Sequence, residues 1–394
     1  MTEPFPILTL KPGRDAHLQN RHLAIFRTAV ERDPAAEDGA IVEVQSSDGT
    51  FLCYATLNRN AYICGRAIAF ERGDPLRTVA RNMERAFALR KAFFAREDTT
   101  AYRLINAEGD EIPGLILDRY GDVLCVQCTT LGMDRLRPWV IETLQTMLKP
   151  QAIYEKSTGA ARKKEGLQDK EGWVAGTPQP AIHITERGMQ FLITLEGSQK
   201  TGLFLDQREM RSLVRQYAKG RTVLDCCSYV GGFSVAALLG GASACDTVDY
   251  DKDTIEAVHT HVAMNGIDPH MCNAICDDVF NVLRKIPLPR AYDFIILDPP
   301  AFAKRSTDLE RAKKAYIDLN RMAMKHLPSG GLLLSCSCSY HIDPELFQTI
   351  VFHAARQAKR SIKIIQRHRQ AMDHPVNLYH PEGDYLKSLL LWIE

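Results

Sequence analysis

The residues best suited to do chemistry lie in the second half of the chain, each close behind an apolar run. Leu334-Ser335-Cys336-Ser337-Cys338-Ser339-Tyr340 carries two thiols. Side chains alternate along a strand, so Leu334, Cys336 and Cys338 share a face, with Cys336 set back and Cys338 at the carboxyl end. A thiolate there could add to an electrophilic carbon; an inert, packed thiol is the competing reading. Phe294-Ile295-Ile296-Leu297 runs into Asp298-Pro299-Pro300. The prolines fix the turn and hold the carboxylate at the strand end. A charge directly behind four apolar residues favours a working group over a plain strand stop. Upstream, residues 222–227 lead into Ser228-Tyr229-Val230-Gly231-Gly232-Phe233, and Asp249 follows Gly231 by 18 positions. A glycine turn plus an acid at the next strand end suits a nucleoside, the carboxylate accepting from a ribose diol. Asp278, behind a third apolar run, could accept from an adenine amino group. Both acids also fit as helix N-caps. The glycines do not spell G-x-G-x-x-G, which argues against a nicotinamide dehydrogenase.

The elements that must position these groups follow a regular pattern. From residue 196 onward, strands are expected at 222–227, 247–249, 272–276, 293–297 and 331–336. Between them, helices are expected up to 239 and over 255–264, 279–285, 312–326 and 344–358. Such alternation predicts a doubly wound, parallel α/β sheet, with ligands at the carboxyl ends of its strands. Residues 1–72 read as a small β-barrel, with a hairpin turning at Ser47-Asp48-Gly49. Residues 73–195 read as a central α/β region. In it, the spacing of Val79, Met83, Phe87 and Leu89 predicts a helix over 76–94. Three short strands and a helix over 133–148 follow, then a mobile basic loop over 156–170.

The 394 residues exceed one ordinary domain, and 45% hydrophobic with 25% charged residues describes a globular chain with real cores. Lys+Arg 49 against Asp+Glu 48 leaves a formal charge of +1, so any nucleic-acid surface must be a local patch. Basic residues cluster over 14–21, 162–170 and 356–369. The eleven cysteines form no CxxC pair of zinc-ribbon type, Cys125 and Cys128 lying in a strand-like apolar run, so no metal site is expected. With neither a signal-like start nor an apolar run of roughly 18 residues, a reducing cytoplasm and no membrane association are expected.

Taken together, the chain resembles the class I S-adenosylmethionine-dependent 23S ribosomal RNA cytosine-5 methyltransferases, the large-subunit methyltransferase I group. The likeness runs through Leu10-Lys11-Pro12-Gly13-Arg14, Pro113-Gly114-Leu115-Ile116-Leu117-Asp118-Arg119-Tyr120 and Arg162-Lys163-Lys164-Glu165-Gly166. It continues through Lys200-Thr201-Gly202-Leu203-Phe204-Leu205-Asp206-Gln207-Arg208, the Ser228–Phe233 loop, Asp298-Pro299-Pro300 and Ser337-Cys338-Ser339. It ends with His374-Pro375 and Pro381-Glu382-Gly383-Asp384-Tyr385-Leu386-Lys387.

The resemblance implies a PUA domain (1–72), a central α/β domain (73–195) and a Rossmann-like methyltransferase domain (196–394). It implies S-adenosylmethionine held by Lys200, Thr201, Asp206, Gln207, Arg208, Ser228, Tyr229, Gly231, Asp249, Asp278 and Asp298. Cys338 would be the nucleophile, with Asp298 at the pyrimidine edge. The implied partner is 23S ribosomal RNA or a large-subunit assembly intermediate, with homodimerisation possible. Three positions depart from the wider pattern: Ala301 where many RNA cytosine-5 methyltransferases place a second cysteine, His22-Leu23-Ala24 in place of a His-Pro-Trp-type stretch, and Tyr340-His341 after Ser339. The base that removes the C5 proton is therefore unassigned. Rival readings are a methyltransferase for another base atom, such as a guanine ring nitrogen, and a non-catalytic RNA-binding assembly factor.

Overall fold

The computed structural model describes residues 4–197, 202–303 and 305–394. These form two compact units, one built from 1–187, 193–205 and 372–383, the other from 188–192, 206–371 and 384–394. Lys200 and Thr201 lie outside the described residues.

The first unit carries two sheets. The amino-terminal one has six strands in the order Ala24–Phe26, Ile63–Ala69, Phe51–Leu57, Ile41–Gln45, Ile7–Leu10, Val30–Arg32. The expected hairpin pairs Ile41–Gln45 with Phe51–Leu57, and Gly49 takes φ +86° in the turn. The second sheet has five strands, Lys170–Gly176, Ala152–Ser157, Val123–Cys128, Leu115–Tyr120 and Ala101–Asn106. Val123–Cys128 and Ala152–Ser157 run parallel across the helix Leu131–Leu148.

Helix Pro75–Phe94 starts at Asp74, whose side chain accepts from the Leu76 and Arg77 amides. Its buried stripe is Val79, Met83, Ala86 and Arg90. Leu89, expected on that face, is exposed, because ten residues beyond Val79 the helix has turned too far to return to the stripe. Arg90 instead enters the core and makes a two-pronged ion pair with Asp110 at 2.6 and 2.8 Å.

The expected mobile basic loop is not one. Residues Ala160–Lys164 are helical and Lys170 opens a strand. Arg162 is fully buried and pairs with Asp134 at 2.8 Å, as does Lys170. A buried guanidinium needs such a partner, so Lys163 and Lys164 are the exposed cations of the Arg162–Lys164 run.

The second unit is the expected doubly wound sheet. In chain order its elements are α1 (Arg208–Tyr217), β1 (Thr222–Cys226), α2 (Gly232–Leu239), β2 (Ala244–Asp249), α3 (Lys252–Met264), β3 (Cys272–Cys276) and α4 (Val279–Arg284). Then come β4 (Phe294–Leu297), α5 (Leu309–His326), β5 (Leu332–Ser337), α6 (Pro344–Ala358), β6 (Ile362–His368) and β7 (Lys387–Ile393). Strand order is β3-β2-β1-β4-β5-β7-β6. The strands run parallel except β7, which is antiparallel to both β5 and β6. α1, β6 and β7 were not foreseen. β1, β4 and β5 are buried on both faces, which is why they read as near-continuous apolar runs. One apolar layer includes Val258, Met210 and Phe233, the other Tyr316, Leu319 and Phe347. No helix among the described residues is long and apolar enough to cross a membrane.

Candidate active site

Strand order reverses between β1 and β4, and ligands of doubly wound sheets sit beyond the carboxyl ends at such a reversal. Every expected site residue of this unit that the structure describes lies on that side. Beyond β1 the chain makes a tight loop: Cys227, Tyr229 and Gly231 take φ +61°, +51° and +78°. Left-handed non-glycine residues mark strain that surrounding contacts must hold. Here the Ser228 amide donates to the Val248 carbonyl at 3.0 Å, and the Gly231 amide to the Ser228 carbonyl at 2.9 Å. The Tyr229 amide donates to Asp249 Oδ2 at 2.8 Å. Asp249 Oδ1 accepts from the Asp251 amide at 3.1 Å. The N-cap of α3 is Asp251, so the helix-cap alternative for Asp249 does not apply. Asp278 does cap α4, accepting from the Phe280 amide at 2.7 Å. Ser228 Oγ is buried with no hydrogen-bond partner among the described residues. An orphaned hydroxyl beside strand-end carboxylates fits a polar, positively charged guest.

On the other side of the reversal, Asp298 is half-buried, and its Oδ1 accepts from Gln207 Nε2 at 2.9 Å. Gln207 was expected to touch the cofactor; its amide nitrogen orients this carboxylate. Asp206 accepts from the Tyr385 hydroxyl at 2.5 Å, and Arg208 is fully buried.

Beyond β5, Cys338 is partly exposed between two fully buried serines. Ser337 Oγ donates to the Tyr316 hydroxyl at 3.1 Å, which also bonds Ser339 Oγ at 3.1 Å. Ser339 Oγ in turn accepts from the Ala303 amide at 3.3 Å, so one hydroxyl staples the loop after β5 to the loop after β4. Lys387, at the start of β7, donates to the carbonyls of Ser339 and Tyr385 at 2.7 and 2.6 Å.

Burial pushes the thiols of Cys226, Cys227 and Cys336 far above the ordinary range, and the neighbouring carboxylates push the last two the same way. These three stay protonated and unreactive. Burial also lifts the Asp225 carboxyl, which accepts from Ser234 Oγ at 2.7 Å, to about 7. Sequence reasoning missed Tyr316 and the role of Lys387. The available signal was a lysine opening an apolar run at residues 387–393.

Away from this site, His22, His380 and Glu382 converge within the first unit, their ligand atoms within 4.8 Å of one another. The Ala24 amide donates to His22 Nδ1 at 3.2 Å, so Nε2 carries the hydrogen that faces Glu382 at 3.2 Å. A metal-bound imidazole would need the opposite assignment.

The comparisons with known proteins agree with this geometry. A family model for S-adenosylmethionine-dependent methyltransferases matches residues 161–390, and one for PUA-like domains matches residues 8–70. Ribosomal RNA large subunit methyltransferase I from Klebsiella pneumoniae (strain 342) is 37% identical over 389 residues, covering 98% of this chain and 97% of that protein. The chain belongs to the ribosomal RNA large subunit methyltransferase I family. A relative of the same name from Alteromonas mediterranea is 37% identical over 385 residues, covering 97% of both. Among solved structures, SMU.776 complexed with SAH superposes with a TM-score of 0.85 at 25% identity, covering 98% of this chain and 99% of that one. As a member of this family the chain is an S-adenosylmethionine-dependent enzyme with an amino-terminal PUA-like domain.

Proposed function

We propose that this protein methylates C5 of a cytosine in large-subunit (23S) ribosomal RNA through a transient bond between Cys338 and C6. The observation that carries the reading is the contrast among neighbouring thiols: Cys226 and Cys336 are fully buried core groups that burial holds protonated, while Cys338 is partly exposed at a strand end on a loop pinned at both sides. C5 of cytosine is too weak a nucleophile to attack a methyl donor unaided. Addition of a thiolate to C6 makes the ring an enamine that can attack from C5.

When bound, S-adenosylmethionine supplies an electrophilic methyl group on a cationic sulfur. Asp249 and Asp278 are the groups to receive its ribose and adenine, with the Ser228–Gly231 backbone closing around it. Lys200, Thr201, Asp206, Gln207 and Arg208 belong to the same assignment by family likeness. In this reading Asp298, which accepts from Gln207, also accepts from the amino edge of the cytosine. The target nucleotide must leave its stack to reach a thiol at a sheet edge.

In this proposal residues 1–72 are the PUA domain, 73–195 the central domain and 196–394 the catalytic domain. The substrate is 23S RNA, free or in an assembly intermediate, in the cytoplasm. The test incubates undermethylated 23S RNA with labelled S-adenosylmethionine and either wild type or Cys338→Ala, then identifies the modified nucleoside by mass spectrometry. Label in 5-methylcytosine with wild type only is expected. Full methylation by Cys338→Ala, or label in a methylguanine, would overturn the reading.

A further inference from the structure

β7 enters the sheet antiparallel beside β5, with Lys387 paired in register with Ser337, one residue before Cys338. Lysine is seldom buried without a reason, yet Lys387 is 3% exposed. An ammonium has three donors. Two go to main-chain carbonyls, Ser339 at 2.7 Å and Tyr385 at 2.6 Å, the first belonging to the residue that follows Cys338. A buried ion pair with a carboxylate would neutralise the cation, and here uncharged carbonyls hold it. Its positive charge therefore remains available to the nearest ionisable group of that loop.

We propose that Lys387 is a positioning residue for the reaction above: its ammonium fixes the Ser339 carbonyl and holds the Cys338 sulfur in the thiolate state. The inference rests on the reading of Cys338 as nucleophile. The mutual influence of the two groups supports it. Burial, the largest cause, lowers the Lys387 ammonium to about 8, and a charged Cys338 raises it first among its neighbours, ahead of Asp384 and Asp343, with Arg369 opposing. What Cys338 does to the ammonium, the ammonium does in reverse to the thiol. The proton leaves the sulfur for solvent and the lysine keeps its own, so no further reactant is needed. Loss of this charge has a different signature from loss of a loop contact, because only charge moves the thiol's titration.

The experiment measures iodoacetamide alkylation of Cys338 against pH in the full chain, with peptide mass spectrometry to assign the site. It compares wild type, Lys387→Met, Lys387→Gln and Lys387→Arg. Gln keeps donors for the carbonyls without the charge and serves if the Met variant does not fold. The alkylation midpoint is expected to rise by about one pH unit in Met and Gln and to stay near wild type in Arg. At neutral pH, kcat falls about tenfold in Met and Gln and recovers as pH is raised, with S-adenosylmethionine affinity unchanged. A folded Gln variant with the wild-type midpoint would overturn the proposal. Methylation by Cys338→Ala would instead remove the nucleophile reading and leave the alkylation result to stand by itself.

Discussion

The two halves of the catalytic sheet hold their functional groups by different means. On the β1–β3 side, Asp249 is fixed by main-chain amides of Tyr229 and Asp251, and the loop it closes is fixed by carbonyls of Ser228 and Val248. On the β4–β5–β7 side, the loop that carries Cys338 is held through Ser339 by groups distant in sequence: the Tyr316 hydroxyl of α5, the Lys387 ammonium of β7 and the Ala303 amide. The first half is a local device that any chain with this turn and this acid would build. The second exists only once three separate segments have packed. In the proposed mechanism a cofactor of fixed shape is served by the first arrangement, and a reacting thiol, which must change charge, by the second.

That contrast can be broken at its strongest point. Cys338→Ala should lower methyl transfer by about 10³-fold or more while leaving S-adenosylmethionine affinity intact, measured by single-turnover kinetics and calorimetry. Asp249→Ala should do the reverse, weakening cofactor binding about 10- to 100-fold through loss of charged hydrogen bonds, with the RNA affinity unmoved in a filter assay. Tyr316→Phe removes the hydroxyl that bonds both serines, and kcat should fall roughly fivefold, about 1 kcal/mol, with S-adenosylmethionine affinity unchanged. If Tyr316→Phe instead weakened cofactor binding, the two halves would not be separable.

The smallest effect concerns pH. Asp225 titrates at about 7 when folded and near the ordinary carboxylate value when unfolded. Between those values the unfolded chain gives up its proton first, so this residue makes stability fall as pH rises. Asp225→Asn should flatten the melting temperature between pH 5 and 8, read by calorimetry.

The same contrast governs how much could be read from the sequence. β3 and α6 match their expected limits, and β1, β4 and β5 differ by a residue or so, because each is an apolar run or helical stripe bounded by a turn. Asp249, Asp278 and Asp298 were legible because each stands directly behind such a run. Lys387 and Tyr316 were not, since neither lies near Cys338 in sequence. β6 and β7 went unseen because they pair antiparallel beyond the βαβ alternation. β6 is half-exposed along its length and shows no apolar run. Arg162 misled in the opposite way. The basic run around it presented it as surface charge, and packing paired it with Asp134.

The nucleophile is tested most directly by trapping it. In RNA whose target cytosine carries fluorine at C5, the proton that must leave is absent, so the adduct cannot resolve after methyl transfer. With S-adenosylmethionine present, wild type should form a denaturation-stable RNA–protein complex whose RNA-bearing peptide contains Cys338, and Cys338→Ala should form none. A complex mapping to another residue, or normal turnover on the fluorinated RNA, would contradict the account.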